Sequence, residues 1–163
     1  MKAADAMDVR QLDLSNAAVI AQILAVQRKA YRLEARIVRY DRIPALHDTA
    51  ESIRGSGERF FGLVHRGSVS AVVSVLLEES ILTICRLVVD PSLHRRGMAT
   101  TLLSDLKNRY AGISIFRVST AAKNTPALRL YQENGFTVVR RWITDDGLEL
   151  TELEHRREPE SCP

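Results

Sequence analysis

A strand, a helix and a second strand follow one another at the centre of this chain, and that order constrains the fold more than any other feature. "SILTICRLVV" is a continuous apolar run, a helical pattern then extends from about Arg96 to Tyr110, and "ISIFRVS" alternates again. A crossover of this kind makes its two strands parallel. The two preceding strand-like runs, "RFFGLVH" and "SVSAVVSVLL", are joined to each other and to the crossover by the short links "RG" and "EES". Links that short suit antiparallel hairpins. The chain must therefore build one mixed sheet, mostly antiparallel with a single parallel pair, as an α/β sandwich.

The flanks extend the pattern. "VRQLDL" reads as a first strand, and Ser15 and Asn16 offer an N-cap. Val19, Ile20, Ile23, Leu24 and Gln27 then recur at helical spacing. "RLEARIVRYDRIPALHD" is expected to close that helix before a loop at Pro44. Asp48 and Glu51 suggest a capping box for a short helix, "TAESIRGS", which Gly55 and Gly57 stop. A later helix is expected from Thr125 to Asn134, with Gly135 ending it in the left-handed conformation. "FTVVRRWI" and "ELTELEH", joined by "TDDG", complete the sheet. The 163 residues read as one domain, with 157–163 expected to be a flexible tail.

Composition narrows the class. The chain is 45% hydrophobic and 26% charged, as in an ordinary globular protein, and no apolar run is long enough to span a membrane. "MKAADAMDVRQLDL" lacks the apolar centre of a secretory signal, and Cys85 and Cys162 make no disulfide framework. A cytoplasmic location is expected, with Cys85 a small buried residue. The net charge of +3 and an arginine excess suit an anionic ligand. The arginines are scattered, without a basic stripe interleaved with aromatics, so nucleic acid is not expected as the main partner.

The junction "VVDPSLHRRGMATTLL" is where chemistry concentrates. Pro91 breaks the strand. The helix beyond buries Ala99, Leu102, Leu103, Leu106 and Tyr110 on one face. Its first N–H groups lack intrahelical partners and the helix dipole adds partial positive charge. Both favour phosphate. Gly97 lets a ligand approach the backbone, and Arg95 and Arg96 add bidentate cationic donors, so a pyrophosphate is a suitable guest. In "NTPALRLYQENGF", Asn124, Ala127, Leu128 and Tyr131 share one helix face, and Pro126 fits the first turn.

Together these segments resemble the GNAT superfamily of acetyl-CoA-dependent N-acetyltransferases. The family pattern Gln/Arg-x-x-Gly-x-Gly/Ala is met by His94-Arg-Arg-Gly97-Met-Ala99, with His94 departing from it. The pattern Asn-x-x-Ala-x-x-x-Tyr-x-x-x-Gly-Phe is met at Asn124, Ala127, Tyr131, Gly135 and Phe136. The resemblance implies a sheet of about seven strands with a parallel fourth and fifth pair and about four flanking helices.

It also implies a site. Acetyl-CoA is the cosubstrate, no metal is required, and the pantetheine arm lies in a splay beside Leu87, Val88 and Val89. The pyrophosphate sits over the backbone of Arg95, Arg96, Gly97, Met98, Ala99 and Thr100, and Asn124 and Ala127 line the cofactor arm. Tyr131 lies near the thioester sulfur, where a phenol can protonate the departing thiolate. A main-chain N–H of Val88 or Val89 serves as oxyanion donor. The acceptor is expected to be a small-molecule or peptide amine. The region holding Glu34, Tyr40, Asp41, His47 and Asp48 borders its site, and the proton acceptor is left open among these residues and water. Glu78 and Glu79 are expected to be solvated. A non-catalytic acyl-CoA binder or sensor on the same fold is the alternative reading, and a homodimer is compatible with either.

Overall fold

The computed structural model describes residues 7–158. Its elements run β1 (Asp8–Gln11), α1 (Ala17–Val38), a 3-10 turn (Pro44–His47), α2 (Ala50–Gly55), β2 (Arg59–His65), β3 (Ser68–Glu78) and β4 (Ile81–Val89). A second 3-10 turn (Pro91–Leu93) precedes α3 (Met98–Arg109), β5 (Ile115–Ala121), α4 (Thr125–Glu133), β6 (Thr137–Ile143) and β7 (Glu149–Arg156). One seven-stranded sheet has the order β1-β2-β3-β4-β5-β7-β6. Its β4–β5 pair is parallel and the other neighbouring pairs are antiparallel. This is the expected fold, strand for strand.

Alternate residues of the central strands supply two cores, because successive side chains leave a strand on opposite faces. Phe61, Val73 and Phe116 pack with Leu102, Leu103 and Leu106 of α3 and with Tyr131 of α4. Phe60, Val72 and Val88 pack on the other face with Ile20, Ile23 and Leu24 of α1 and Ile53 of α2. Covering both faces explains why β3 reads as a nearly unbroken apolar run. Each large side chain so buried contributes about 1.5–3 kcal/mol.

Several boundaries differ from the sequence expectation. Helix α1 runs through "RLEARIV" to Val38, so Glu34 stands within it and not in a loop. Asn16 caps it, accepting from the N–H groups of Ala18 at 3.0 Å and Val19 at 3.4 Å. Thr49, not Asp48, caps α2: its Oγ1 accepts from the Ser52 N–H at 3.2 Å, and Ser52 Oγ accepts from the Thr49 N–H at 2.8 Å. Asp48 is drawn to the half-buried Arg86 instead. The β3–β4 link shortens to Glu79 and Ser80, and both Glu78 and Glu79 are exposed. Arg157 is anchored to the body, donating from Nε to the Ile113 carbonyl at 2.9 Å. Cys162 and the rest of the expected tail past 158 lie outside the described residues.

Candidate active site

The cleft begins where two strands part. β4 pairs with β5 only from Ile81–Ile84 against Ile115–Val118, although β4 continues to Val89 and β5 to Ala121. The β3–β4 register shifts between Ser74 and Val75, so Cys85 has no opposite number. A bulge of this kind bends its strand and increases the local twist. Past it, the Asp90 N–H donates to the Ser70 carbonyl at 2.9 Å. Main-chain donors alternate in direction along an antiparallel strand. The Val88 N–H therefore turns toward β3, as that of Asp90 does, while the Leu87 and Val89 N–H groups turn toward the opening. Of the two candidate oxyanion donors, Val89 is the one that faces the splay.

The turn before α3 closes one end of that opening. Arg95 and Gly97 both adopt the left-handed conformation, with φ of 66° and 72°. Successive N–H groups in such a turn form an anion-binding concavity at the helix N-terminus. A Cβ built on Gly97 would meet nothing within 4 Å, so this glycine serves the backbone conformation and not internal packing. The resulting cleft is about 550 Å³ and is lined by Leu87, Val88, Val89, His94, Arg95, Gly97, Met98, Ala99, Thr100, Asn124 and Ala127. Arg96 is exposed and lies outside this lining. Tyr131 lines a smaller cavity next to it.

A second cavity, of about 680 Å³, is bounded by α1, Cys85 and Arg86 of β4, Ser119–Ala121 of β5 and the β6–β7 turn. Five carboxylates line it (Glu34, Asp48, Glu58, Asp145 and Asp146) against two guanidinium groups, Arg42 and Arg86. In a chain of net charge +3, that wall is locally anionic. Arg86 organises its floor. Its Nε donates to Glu58 Oε1 at 3.0 Å and its Nη1 to Gln27 Oε1 at 3.0 Å and to Asp48 Oδ2. Gln27 Nε2 also donates to Asp48 at 2.8 Å, and Ser74 Oγ to Glu58 at 2.6 Å. Burial pushes the Asp48 carboxyl up, but the hydrogen bonds from Arg86, Gln27 and Ser52 outweigh it and hold the group below its ordinary range.

A cavity of about 110 Å³ lies between the two larger ones, bounded by Tyr31, Glu34, Cys85, Arg86, Asn124 and Tyr131 among others. Glu34 lines all three spaces. Burial raises its carboxyl above the usual glutamate range, more than the hydrogen bond from Asn124 lowers it. Tyr131 is buried and its phenol is pushed well above the ordinary tyrosine value, first by desolvation and then by Tyr31 and Glu34. It stays protonated and so is available as a donor. Cys85 is exposed, contrary to expectation, and burial of its sulfur raises the thiol to about 11. At that value it is no thiolate nucleophile at neutral pH.

The remaining candidates divide. Tyr40 lines the anionic cavity and donates its hydroxyl to Asp146 Oδ2 at 2.8 Å. Asp41 and His47 are exposed and stand outside all three cavities. Sequence reasoning missed Arg86, Glu58 and Tyr31. Two signals were present: a lone arginine inside the apolar run "ILTICRLVV", and Gln27 on an otherwise apolar helix face, where it is 1% exposed.

A model of the acetyltransferase (GNAT) domain matches residues 29–156. The chain belongs to the GNAT family. This GNAT chain is 39% identical over 140 residues to the UPF0157 protein YqkA of Bacillus subtilis (strain 168), a match that covers 86% of the chain but only 41% of that protein. The chain thus spans less than half the length of that relative. Its fold superposes with a TM-score of 0.74 on the ribosomal-protein-S18-alanine N-acetyltransferase of Escherichia coli, at 16% identity over 97% of this chain and 99% of the other. The PaiA N-acetyltransferase of Thermoplasma acidophilum, solved with coenzyme A, gives 0.72 at 16% identity over 93% and 99%. YncA of Salmonella typhimurium, described as a putative acetyltransferase and solved with acetyl-CoA, gives 0.70 at 18% identity over 97% and 98%. These superpositions show a shared fold.

Proposed function

We propose that this GNAT chain moves the acetyl group of acetyl-CoA directly onto the primary amine of a cationic acceptor. The observation that carries the reading is the meeting of two unlike spaces at Glu34, Asn124 and Tyr131. One space has main-chain donors and a left-handed cationic turn; the other has a carboxylate-rich wall. The first fits a thioester carrier. The Arg95–Thr100 backbone and the Arg95 guanidinium suit its pyrophosphate, and the β5-facing edge of Leu87 and Val89 suits its amide-bearing arm. The acceptor enters from the anionic side, where a protonated amine is attracted.

Each residue then has a task. The Val89 N–H is aimed where charge develops on the thioester oxygen. Tyr131, kept protonated by its raised pKa, gives its proton to the departing sulfur as the C–S bond breaks, and Cys85, whose thiol is also raised, does not compete as a nucleophile. Holding amine and thioester in one constricted passage supplies a large part of the acceleration.

The test is direct. Calorimetry should register coenzyme A binding, and a thiol-release assay with acetyl-CoA should respond to cationic primary amines well above the amine-free rate. Binding with no release across a broad amine panel would replace this reading with that of an acyl-CoA sensor. No binding would remove both.

A further inference from the structure

We propose that Glu34 is the group that takes the proton from the attacking amine, oriented for that task by Asn124. This rests on the acetyl-transfer reading above. Among the residues on the three cavity walls, Glu34 is the carboxylate that faces the cofactor cleft, the passage and the anionic cavity together. Asp48 and Glu58 are spoken for by Arg86 and its neighbours. Asp145 and Asp146 line only the outer cavity, and Asp146 already accepts from Tyr40. Glu34 has one oxygen fixed, Oε1 accepting from Asn124 Nδ2 at 3.1 Å. Its Oε2 accepts from no group among the described residues, so it is the oxygen available to an incoming N–H.

The position follows from helix geometry. Gln27, Tyr31 and Glu34 are spaced i, i+4 and i+7 and so fall on one face of α1. That face runs from the Arg86 cluster to the thioester passage. Asn124 cannot drift, because its Oδ1 caps α4 by accepting from the Ala127 N–H at 3.2 Å. One amide therefore locks the carboxylate of one helix to the entrance of another.

The step balances as follows. The acceptor ammonium loses one proton to Glu34 Oε2. The freed nitrogen lone pair forms the N–C bond, and the C–S bond breaks with its pair on sulfur. Tyr131 gives the thiolate a proton and regains one from the newly acylated nitrogen. Glu34 releases its proton to water through the anionic cavity, so the net products are amide, thiol and one proton.

At the passage the charged and titratable groups facing Glu34 are Tyr31 on its own helix, Cys85 and Arg86 from β4, and Tyr131 from α4; the anionic cavity adds Tyr40, Arg42, Asp48, Glu58, Asp145 and Asp146, and the cofactor cleft adds His94 and Arg95. At the passage both phenols and the thiol are raised and Arg86 stays charged, so none of these four ionises between pH 5 and 8. An acid limb that Glu34→Gln removes and Glu34→Asp keeps belongs to Glu34.

The experiment compares wild type, Glu34→Gln and Glu34→Asp in kcat against pH with a saturating linear diamine, and in calorimetry with coenzyme A alone. Carbon-13 NMR of the glutamate carboxyls, without coenzyme A, follows the same proton directly. Expected for Glu34→Gln are a fall in kcat of about 100-fold or more, loss of the acid limb, unchanged coenzyme A affinity, and loss of one carboxyl resonance that titrates above the usual glutamate range. Glu34→Asp keeps the limb at a reduced rate. Wild-type turnover and an intact limb in Glu34→Gln overturn the assignment and leave the parent reading standing. Loss of coenzyme A binding in Glu34→Gln assigns the residue to structure and also overturns it. A wild type that binds coenzyme A but acetylates no amine removes the parent reading and this one with it.

Discussion

Asn124 donates from Nδ2 to Glu34 Oε1 at 3.1 Å while its own Oδ1 caps α4. One short side chain thus couples the last turns of α1 to the entrance of α4. Replacing Asn124 by Asp keeps a good N-cap but swaps the donor for a second negative charge. Like charges disfavour ionisation, so Glu34 will hold its proton to higher pH. The acid limb of kcat should move to higher pH in Asn124→Asp, with helix content by circular dichroism unchanged. A limb that stays in place would separate Asn124 from the proton acceptor.

Tyr131 combines a raised pKa with a place at the passage. Tyr131→Phe removes only the hydroxyl, and the ring keeps its edge contact with Phe136 at 5.6 Å between centroids. The expected outcome is a kcat lower by about 10–100-fold with coenzyme A affinity within a factor of about two. Steady-state thiol release together with calorimetry separates the two quantities.

Gly97 has φ of 72° and open space around it. An alanine there costs about 1–2 kcal/mol for the left-handed conformation, or the turn relaxes and its N–H groups disperse. Gly97→Ala should therefore lower the urea midpoint, weaken coenzyme A binding about tenfold, or do both. Arg95→Ala, which removes a charge from the cleft lining, should weaken binding more than Arg96→Ala does. Isothermal titration ranks all three.

Arg86 holds Asp48 and Glu58 at side-chain exposures of 13% and 9%. Arg86→Met leaves two half-buried carboxylates without their cation and should lower the urea-unfolding midpoint at pH 7. The pH dependence has a definite sign. Asp48 has a folded-state pKa below its unfolded value, so its contribution is complete above the unfolded value, about 3.9, and is lost as pH falls through the folded one. Wild-type stability should decline in that acid window, and Asp48→Asn should show a shallower decline.

Element order was legible because period-two and period-3.6 patterns are local, and each run carried its own stop signal. Gly135 was readable as the left-handed end of α4 and holds φ of 89°, whereas Gly97 was read for close approach to its backbone and its φ of 72° was not foreseen. The turn before α3 and the Asn124–Tyr131 face were visible as short spacings. The Arg86 cluster was not, since its partners lie 38 and 28 residues away and no spacing rule connects them. The same cluster explains the misplaced cap. Local chemistry allowed Asp48 or Thr49, and a distant guanidinium took the carboxylate. Glu34 was a candidate among several because the length of α1 hid which face it shared with Tyr31.

The parting of β4 from β5 has a bearing on how such proteins diversify. On the proposed reading, grip on the acyl carrier is vested mainly in peptide groups, which every residue but proline supplies, so most neighbouring side chains can drift at little expense to it. Recognition of the recipient is, on the same reading, vested in individual side chains on α1, β4 and the β6–β7 turn. Exchanging those few would then redirect acetyl transfer to new amines while the acyl supply stayed the same.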